Sequence, residues 1–325
     1  MLRITAAVAA VLALTAPAAA PASARPVPTP SPVSVVGHTP DRYPEGIAWD
    51  PSRRAFLIGS IATGRISVVG RDGVPHPYGV APGISTFGLH VDARRNRVLA
   101  TYADIGSGER SSEATAYKQS GVAVYDLRSG RLLQRIDLNT KRLNPVGGRH
   151  GANDLAIDAV GNAYVADPAG DAIYKIGRSG HASVLVRDAR LKSDSIGMNG
   201  IVWDPAGFLL AVRYDTGALL RITPAGRISE VAVGKKLIGG DGLAMTTDRR
   251  LVAVTNKLGA PGVEELTVLS SVDGYRSAVV RSVQAWPVAG PTTAAVTPAG
   301  IYVLSGGIDV LLAGGSTDQF TIRRG

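Results

Sequence analysis

Apolar residues in this chain come in short runs, and nearly every run is closed by a turn rich in Gly, Pro or Asp. After Asn199, Gly200 to Trp203 reads as a strand and Asp204-Pro205-Ala206-Gly207 as a turn. Phe208 to Arg213 is the next strand and Ala218 to Thr223 a third, closed by Pro224-Ala225-Gly226. The stretch after Asn153 follows the same grammar, with a turn at Asp158-Ala159-Val160-Gly161 and strands at Ala163 to Ala166 and Ala172 to Ile176. The opening strand of this unit recurs six times. The copies are Glu45-Gly46-Ile47-Ala48-Trp49-Asp50, Phe87-Gly88-Leu89-His90-Val91-Asp92, Asn153-Asp154-Leu155-Ala156-Ile157-Asp158, Asn199-Gly200-Ile201-Val202-Trp203-Asp204, Asp241-Gly242-Leu243-Ala244-Met245-Thr246 and Thr292-Thr293-Ala294-Ala295-Val296-Thr297.

Their first positions, 45, 87, 153, 199, 241 and 292, are spaced by 42, 66, 46, 42 and 51 residues. A period of this size with several strands per unit predicts an all-β fold, a six-bladed β-propeller spanning residues 33–325. The long spacing contains Ile105 to Ser120, which has no strand period; a lid and a disordered surface loop are both open readings of it. After the sixth copy only Ile301 to Leu304, an apolar run Ile308 to Leu312 and Gln319 to Arg323 remain. The missing outer strand is supplied by Val33 to Gly37, since an unpaired edge invites aggregation.

Composition adds limits. The chain has 325 residues with no cysteine, which excludes disulfides and thiolate metal sites. Met1-Leu2-Arg3, an apolar stretch from Ile4 to about Leu14, and Ala22-Ser23-Ala24 before Arg25 form the three-part pattern of a secretory signal over residues 1–24. Residues 25–32 read as a Pro-rich leader, so the mature protein is expected to be secreted or extracytoplasmic and monomeric. The net charge of +9 raises the question of nucleic acid. However, Arg53-Arg54, Arg94-Arg95 and Arg249-Arg250 fall just after the sixth position of their copies, which makes them solvated hairpin tips on one rim. Few aromatic residues lie between them to stack bases, so no nucleic-acid partner is expected.

Ring symmetry brings the first positions together near the axis. Glu45, Asn153, Asn199 and Asp241 then offer two carboxylates and two amide oxygens, a donor set suited to Ca²⁺ and acceptable to Mg²⁺ or Mn²⁺. Asn or Asp before Gly is also a common turn former, and only the coincidence at equivalent positions favours a metal. The second and sixth copies carry Phe87 and Thr292 instead, which predicts an ion held from one side with its substrate side toward these two. His150, three residues before Asn153, is either a general base overhanging the ion or a loop residue bonded to backbone. Arg149 holds an acidic substrate group or lies on the solvated rim. His90 stands where other copies have Ala or Val and is expected to pack between blades, as are Trp49 and Trp203.

Tyr43-Pro44-Glu45-Gly46, Met198-Asn199-Gly200-Ile201, Gly240-Asp241-Gly242-Leu243 and Pro291-Thr292-Thr293 resemble the motifs of the senescence-marker-protein (regucalcin)/gluconolactonase family and, more distantly, of paraoxonases. The resemblance implies that Glu45, Asn199 and Asp241 bind a catalytic divalent ion, that Asn153 contacts metal or substrate, and that Asp241 has an added role as base. Pro82 stands where the paraoxonase element begins with a catalytic histidine, so a His-pair mechanism is not expected. The leading expectation is a metal-dependent hydrolase of lactones or small esters acting on a small-molecule lactone, ester or sugar derivative. The alternative is a non-catalytic propeller that binds a carbohydrate or other small ligand around a structural ion. A strictosidine-synthase-like condensation lacks an acidic residue placed for amine activation.

Overall fold

The computed structural model describes residues 33–325. The signal and leader expected over residues 1–32 lie outside the described residues. Six sheets are arranged in chain order. Their innermost strands are Pro44–Asp50, Ser85–Asp92, Leu155–Ile157, Met198–Asp204, Gly240–Met245 and Pro291–Thr297. The protein is a six-bladed β-propeller, and each copy of the sequence repeat opens one blade.

The second strand of each blade is covered on both faces by neighbouring blades, and its sequence reads accordingly as a continuous apolar run. Ala55–Ser60 is buried throughout, and Leu209, Leu210, Ala211 and Val212 of Phe208–Arg213 are fully inaccessible. Outer strands meet water and interleave polar with apolar residues, as Ser277–Ala285 does. The apolar core is consequently divided among the gaps between blades. Leu99 and Val122 of blade 2 pack on Leu155 and Tyr174 of blade 3, Tyr164 of blade 3 on Ile201 and Leu209 of blade 4, and Leu210 of blade 4 on Leu243 and Ala253 of blade 5. Equivalent clusters join blades 1 and 2, 5 and 6, and 6 and 1.

The ring closes as the sequence predicts. Ser34–His38 pairs antiparallel with Gln319–Arg324, from Ser34 opposite Arg323 to His38 opposite Gln319. Val35 is buried with Phe320 and Ile322 in the cluster between blades 6 and 1. The apolar run Ile308–Leu312 forms a short helix rather than a strand, entered through Gly307 in the left-handed region.

Two expectations change. The excursion loop is tied down: Glu109 N–H donates to Ala62 O (2.8 Å), an Arg110 guanidinium nitrogen to Gly83 O (2.5 Å) and His150 N–H to Tyr117 O (3.0 Å). The arginine pairs are only in part solvated tips. Arg53 binds Asp50 and reaches Leu127 O in blade 2, Arg95 binds Asp92 and reaches Ala159 O in blade 3, and Arg249 reaches Asp204 in blade 4. Asp50 and Asp204 hold their own turns through backbone N–H groups, Asp92 is held by the Arg95 and Arg97 side chains, and in each case an arginine couples the turn to the adjacent blade.

Candidate functional site

Near the axis the register of five inner strands skips, between Pro44 and Gly46, Thr86 and Leu89, Met198 and Ile201, Gly240 and Leu243, and Pro291 and Ala294. These bulges re-aim the first side chain of each repeat. They also explain the glycine that follows it. A Cβ on Gly46 would overlap Phe87 O of the next blade, one on Gly200 would overlap Asp241 O, and one on Gly242 the Thr293 side chain. Gly88 likewise faces Asn153 O, to which its N–H donates at 2.8 Å. Blades 3 and 6 depart from this, with Asp154 and Thr293 at the second position, and only blade 3 puts an acid there. Asp154 Oδ1 accepts from Leu155 N–H (2.8 Å) and its Oδ2 accepts from Ile201 N–H of blade 4 (3.0 Å).

This departure places a third acid at the axis. Glu45, Asn153, Asp154 and Asp241 line one small cavity of about 30 Å³, room for an ion or one or two waters. Burial pushes the Glu45 carboxyl well above its usual range, and the negative charges of Asp241 and Asp154 push it further. Burial likewise raises Asp154 to about 7. Asp241 is raised to about 7, chiefly by burial and then by Asp154, against the lowering effect of the Asn256 and Asn199 amides.

Asn199 Nδ2 donates to Asp241 Oδ1 (2.8 Å), while Asn256 Nδ2 donates to Asp241 Oδ2 (2.6 Å) and to Pro291 O (2.7 Å). Tyr214 OH in turn donates to Asn256 Oδ1 at 2.5 Å. The remaining oxygen, Asn199 Oδ1, is buried with no hydrogen-bond partner. Among the described residues no group of three or more His, Cys, Asp or Glu side chains forms a metal shell; the first-position donors expected from the repeat include only two acids.

Asn256 and Tyr214 were not singled out from the sequence, yet a signal exists. Each directly follows the second strand of its blade, as do Asp104 and Asp167, so the repeat carries a second polar position at the same end.

The other expected residues fall outside the cavity lining. His150 is buried, with Nδ1 2.8 Å from Asp167 Oδ2 and Nε2 lacking any partner. Asp167 Oδ1 accepts from Gly151 N–H (2.9 Å), which fixes the carboxylate behind the ring. Arg149 lies with its guanidinium 3.5 Å above the centre of the Tyr117 ring.

Phe87 and Thr292 do not form the open side expected of them. Phe87 is buried among Tyr43, Ile61, Ala62, Ala103 and Ile308, where its aromatic surface leaves water. Thr292 is fully buried, and its hydroxyl donates to Glu45 O at 2.7 Å. His90, expected to pack between blades, stands on the wall of the central channel. It is larger than Ala48, Ala156, Val202, Ala244 and Ala295 at the same repeat position. Burial lowers its pKa to about 4, against a smaller raising effect of Asp92.

No family model matches the sequence, and no curated protein matches it. Solved structures do. A calcium-binding protein, regucalcin, from Agrobacterium tumefaciens is 16% identical, with 91% of this chain and 96% of that one covered at a TM-score of 0.60. A gluconolactonase from Xanthomonas campestris is 13% identical, with 89% and 87% covered at a TM-score of 0.60. Virginiamycin B lyase from Staphylococcus aureus is 14% identical, with 89% and 98% covered at 0.54. At these identities the likeness establishes the propeller, a scaffold shared by different chemistries.

Proposed function

We propose that the axial cavity binds a divalent cation, with Ca²⁺ the best chemical match, and that the chain hydrolyses lactones or small esters. The observation that carries this reading is the buried, unpartnered oxygen of Asn199, whose amide bonds Asp241, together with an acid cluster in which Asp241 and Asp154 raise the Glu45 pKa and Asp154 raises that of Asp241. Buried acceptors without donors are rare in folded proteins, and a hard cation satisfies them together. Glu45, Asn199 and Asp241 would hold the ion, with Asn153 bordering it. The similarity to a calcium-binding regucalcin and to a gluconolactonase supports a calcium site and a lactone substrate.

Bound there, the ion supplies Lewis acidity toward a carbonyl oxygen. The remaining steps fall to the side chains. Asp154, held by two backbone N–H groups and facing the cavity, is placed to take a proton from water as the water oxygen bonds to the carbonyl carbon. The ring C–O bond then breaks, and the leaving alkoxide recovers that proton to give a hydroxy acid. Asp241, the base that the sequence favours, is assigned with Asn199 and Glu45 to holding the ion, because a carboxylate that binds a cation is a poor base.

One observation favours the second reading, a ligand-binding propeller with a structural ion: a cavity of about 30 Å³ admits an ion but no lactone ring. A lactone panel assayed with and without chelator, on the wild type and on Asp154→Asn, decides between them. Chelator-sensitive turnover that Asp154→Asn abolishes supports hydrolysis; calcium binding by calorimetry with no turnover on any lactone supports the structural ion.

A further inference from the structure

The fifth position of each repeat, Trp49, Val91, Ile157, Trp203, Met245 and Val296, forms an apolar ring within the channel, below the acid cavity. All six are only partly buried. They line a cavity of about 540 Å³ that shares Ile47, Leu89, His90, Leu243 and Ala294 with the axial cavity. That volume is typical of small-molecule sites. Trp49 and Trp203 belong to blades 1 and 4, which are diametrically opposed in a ring of six. Both are held in place: Trp203 lies parallel to Tyr164 at 5.4 Å, and Trp49 stands edge-on to Phe56 at 5.1 Å.

The polar groups here narrow the ligand. Asp158 is the one charged side chain in the lining, and it is consumed by Gly161 N–H, Asn162 and Tyr164 OH. Of the arginines that follow the inner strands, Arg53, Arg95 and Arg249 are turned onto Asp50, Asp92 and Asp204, and none lines this cavity. Thr246 Oγ1 is engaged with Asp248 and Arg250 O, and besides the exposed Thr247 there remains His90, a channel-facing imidazole with no hydrogen-bond partner among the described residues. An ionic ligand would therefore meet no counter-charge, and a polyhydroxylated one too few partners for its hydroxyls.

We propose that this funnel is a binding site for a neutral, largely apolar aromatic molecule, seated between Trp49 and Trp203 and hydrogen-bonded through one polar group to His90. Nothing in this depends on the chemistry of the acid cavity. A partly exposed apolar wall confined in a channel is poorly hydrated, and a flat ring fills it without a penalty for stripping polar groups of water. The tryptophans, already packed on their neighbours, lose little freedom on binding.

Titration of the full chain with the neutral fluorophore N-phenyl-1-naphthylamine tests the site. Saturable uptake of one molecule per chain, with quenching of tryptophan fluorescence and protection from acrylamide, is expected. Met245→Arg and Val91→Arg, on opposite walls, should each weaken uptake at least ~10-fold by placing an unpaired charge in the funnel. Val272→Arg, at a position 99% exposed, should leave uptake unchanged. His90→Leu should keep the fluorophore but lose a preference for 1-naphthol over naphthalene. Thermal unfolding reports whether each variant folds, and the acrylamide measurement on the wild type needs no variant. Non-saturable uptake, equal uptake by both arginine variants and wild type, or absence of acrylamide protection overturns the proposal.

Discussion

Asn199 Nδ2 lies 2.8 Å from Asp241 Oδ1 on the neighbouring blade, and this contact dictates where the Asn199 oxygen points. A carboxylate only accepts, so the amide must turn its NH₂ toward Asp241 and its Oδ1 away, into buried space without a donor. Asn199→Leu removes that oxygen and keeps the approximate volume. With calcium at about 100 times its Kd, the wild type should gain about 2.7 kcal/mol, roughly 5 °C in Tm. In Asn199→Leu the gain should fall below about 1 °C by differential scanning fluorimetry. An undiminished calcium shift in this variant removes Asn199 from the ion.

The raised acids make stability depend on pH in a definite direction. Asp154 and Asp241 are held near 7 in the folded chain, against about 4 unfolded, so the fold binds the extra protons between these values. Their stabilising contribution is complete below about pH 4 and is lost as pH rises through about 7. In chelator, Tm should therefore fall between pH 6 and 8, and saturating calcium should flatten that fall by pairing the ionised carboxylates. A chelated protein whose Tm rises from pH 6 to 8 contradicts the acid cluster.

His150 and Asp154 separate on activity. His150 does not line the axial cavity, so His150→Ala should leave kcat/KM for a lactone within about threefold while costing about 2 kcal/mol of stability through its bond to Asp167. Asp154→Asn should lower kcat by at least ~100-fold with little change in Tm in calcium. The reverse pattern would restore His150 as the base.

Gly46 tests how close the blades come at the axis. Gly46→Ala drives a methyl onto Phe87 O, a backbone atom that has no room to retreat, and should destabilise by about 2 kcal/mol or more in urea unfolding. Gly234→Ala, where nothing lies within 4 Å, should stay within about 0.5 kcal/mol of wild type.

Closure rests on the strand Ser34–His38. Val35→Asp buries a carboxylate among Phe320, Ile322 and Tyr302 and should cost about 3 kcal/mol or more, opening the seam between blades 6 and 1. Hydrogen exchange should report it first at Gln319–Arg324, the partner strand.

Local pattern settled much of this protein. Apolar runs separated by Gly and Pro turns specify strands because backbone and side-chain preferences act over a few residues, and six equivalent copies specify a ring because each blade can bury its faces only against others. The closing strand before His38 and the meeting of Glu45, Asn153 and Asp241 at one cavity were legible for the same reason. Depth and neighbourhood were not. Phe87 shares a repeat position with Glu45, yet it packs against Tyr43 and Ile308, which arrive from other blades. Asp154 reaches the axis because blade 3 spans to Ile201 N–H of blade 4 with a carboxylate where four other blades have glycine and blade 6 has Thr293. His90 lines the channel, and Trp49 and Trp203, packed on Phe56 and Tyr164, border one channel cavity only once the ring is closed. Repetition in a sequence says which positions are equivalent; what each one touches depends on residues brought in from the rest of the chain, and only the tertiary packing decides that.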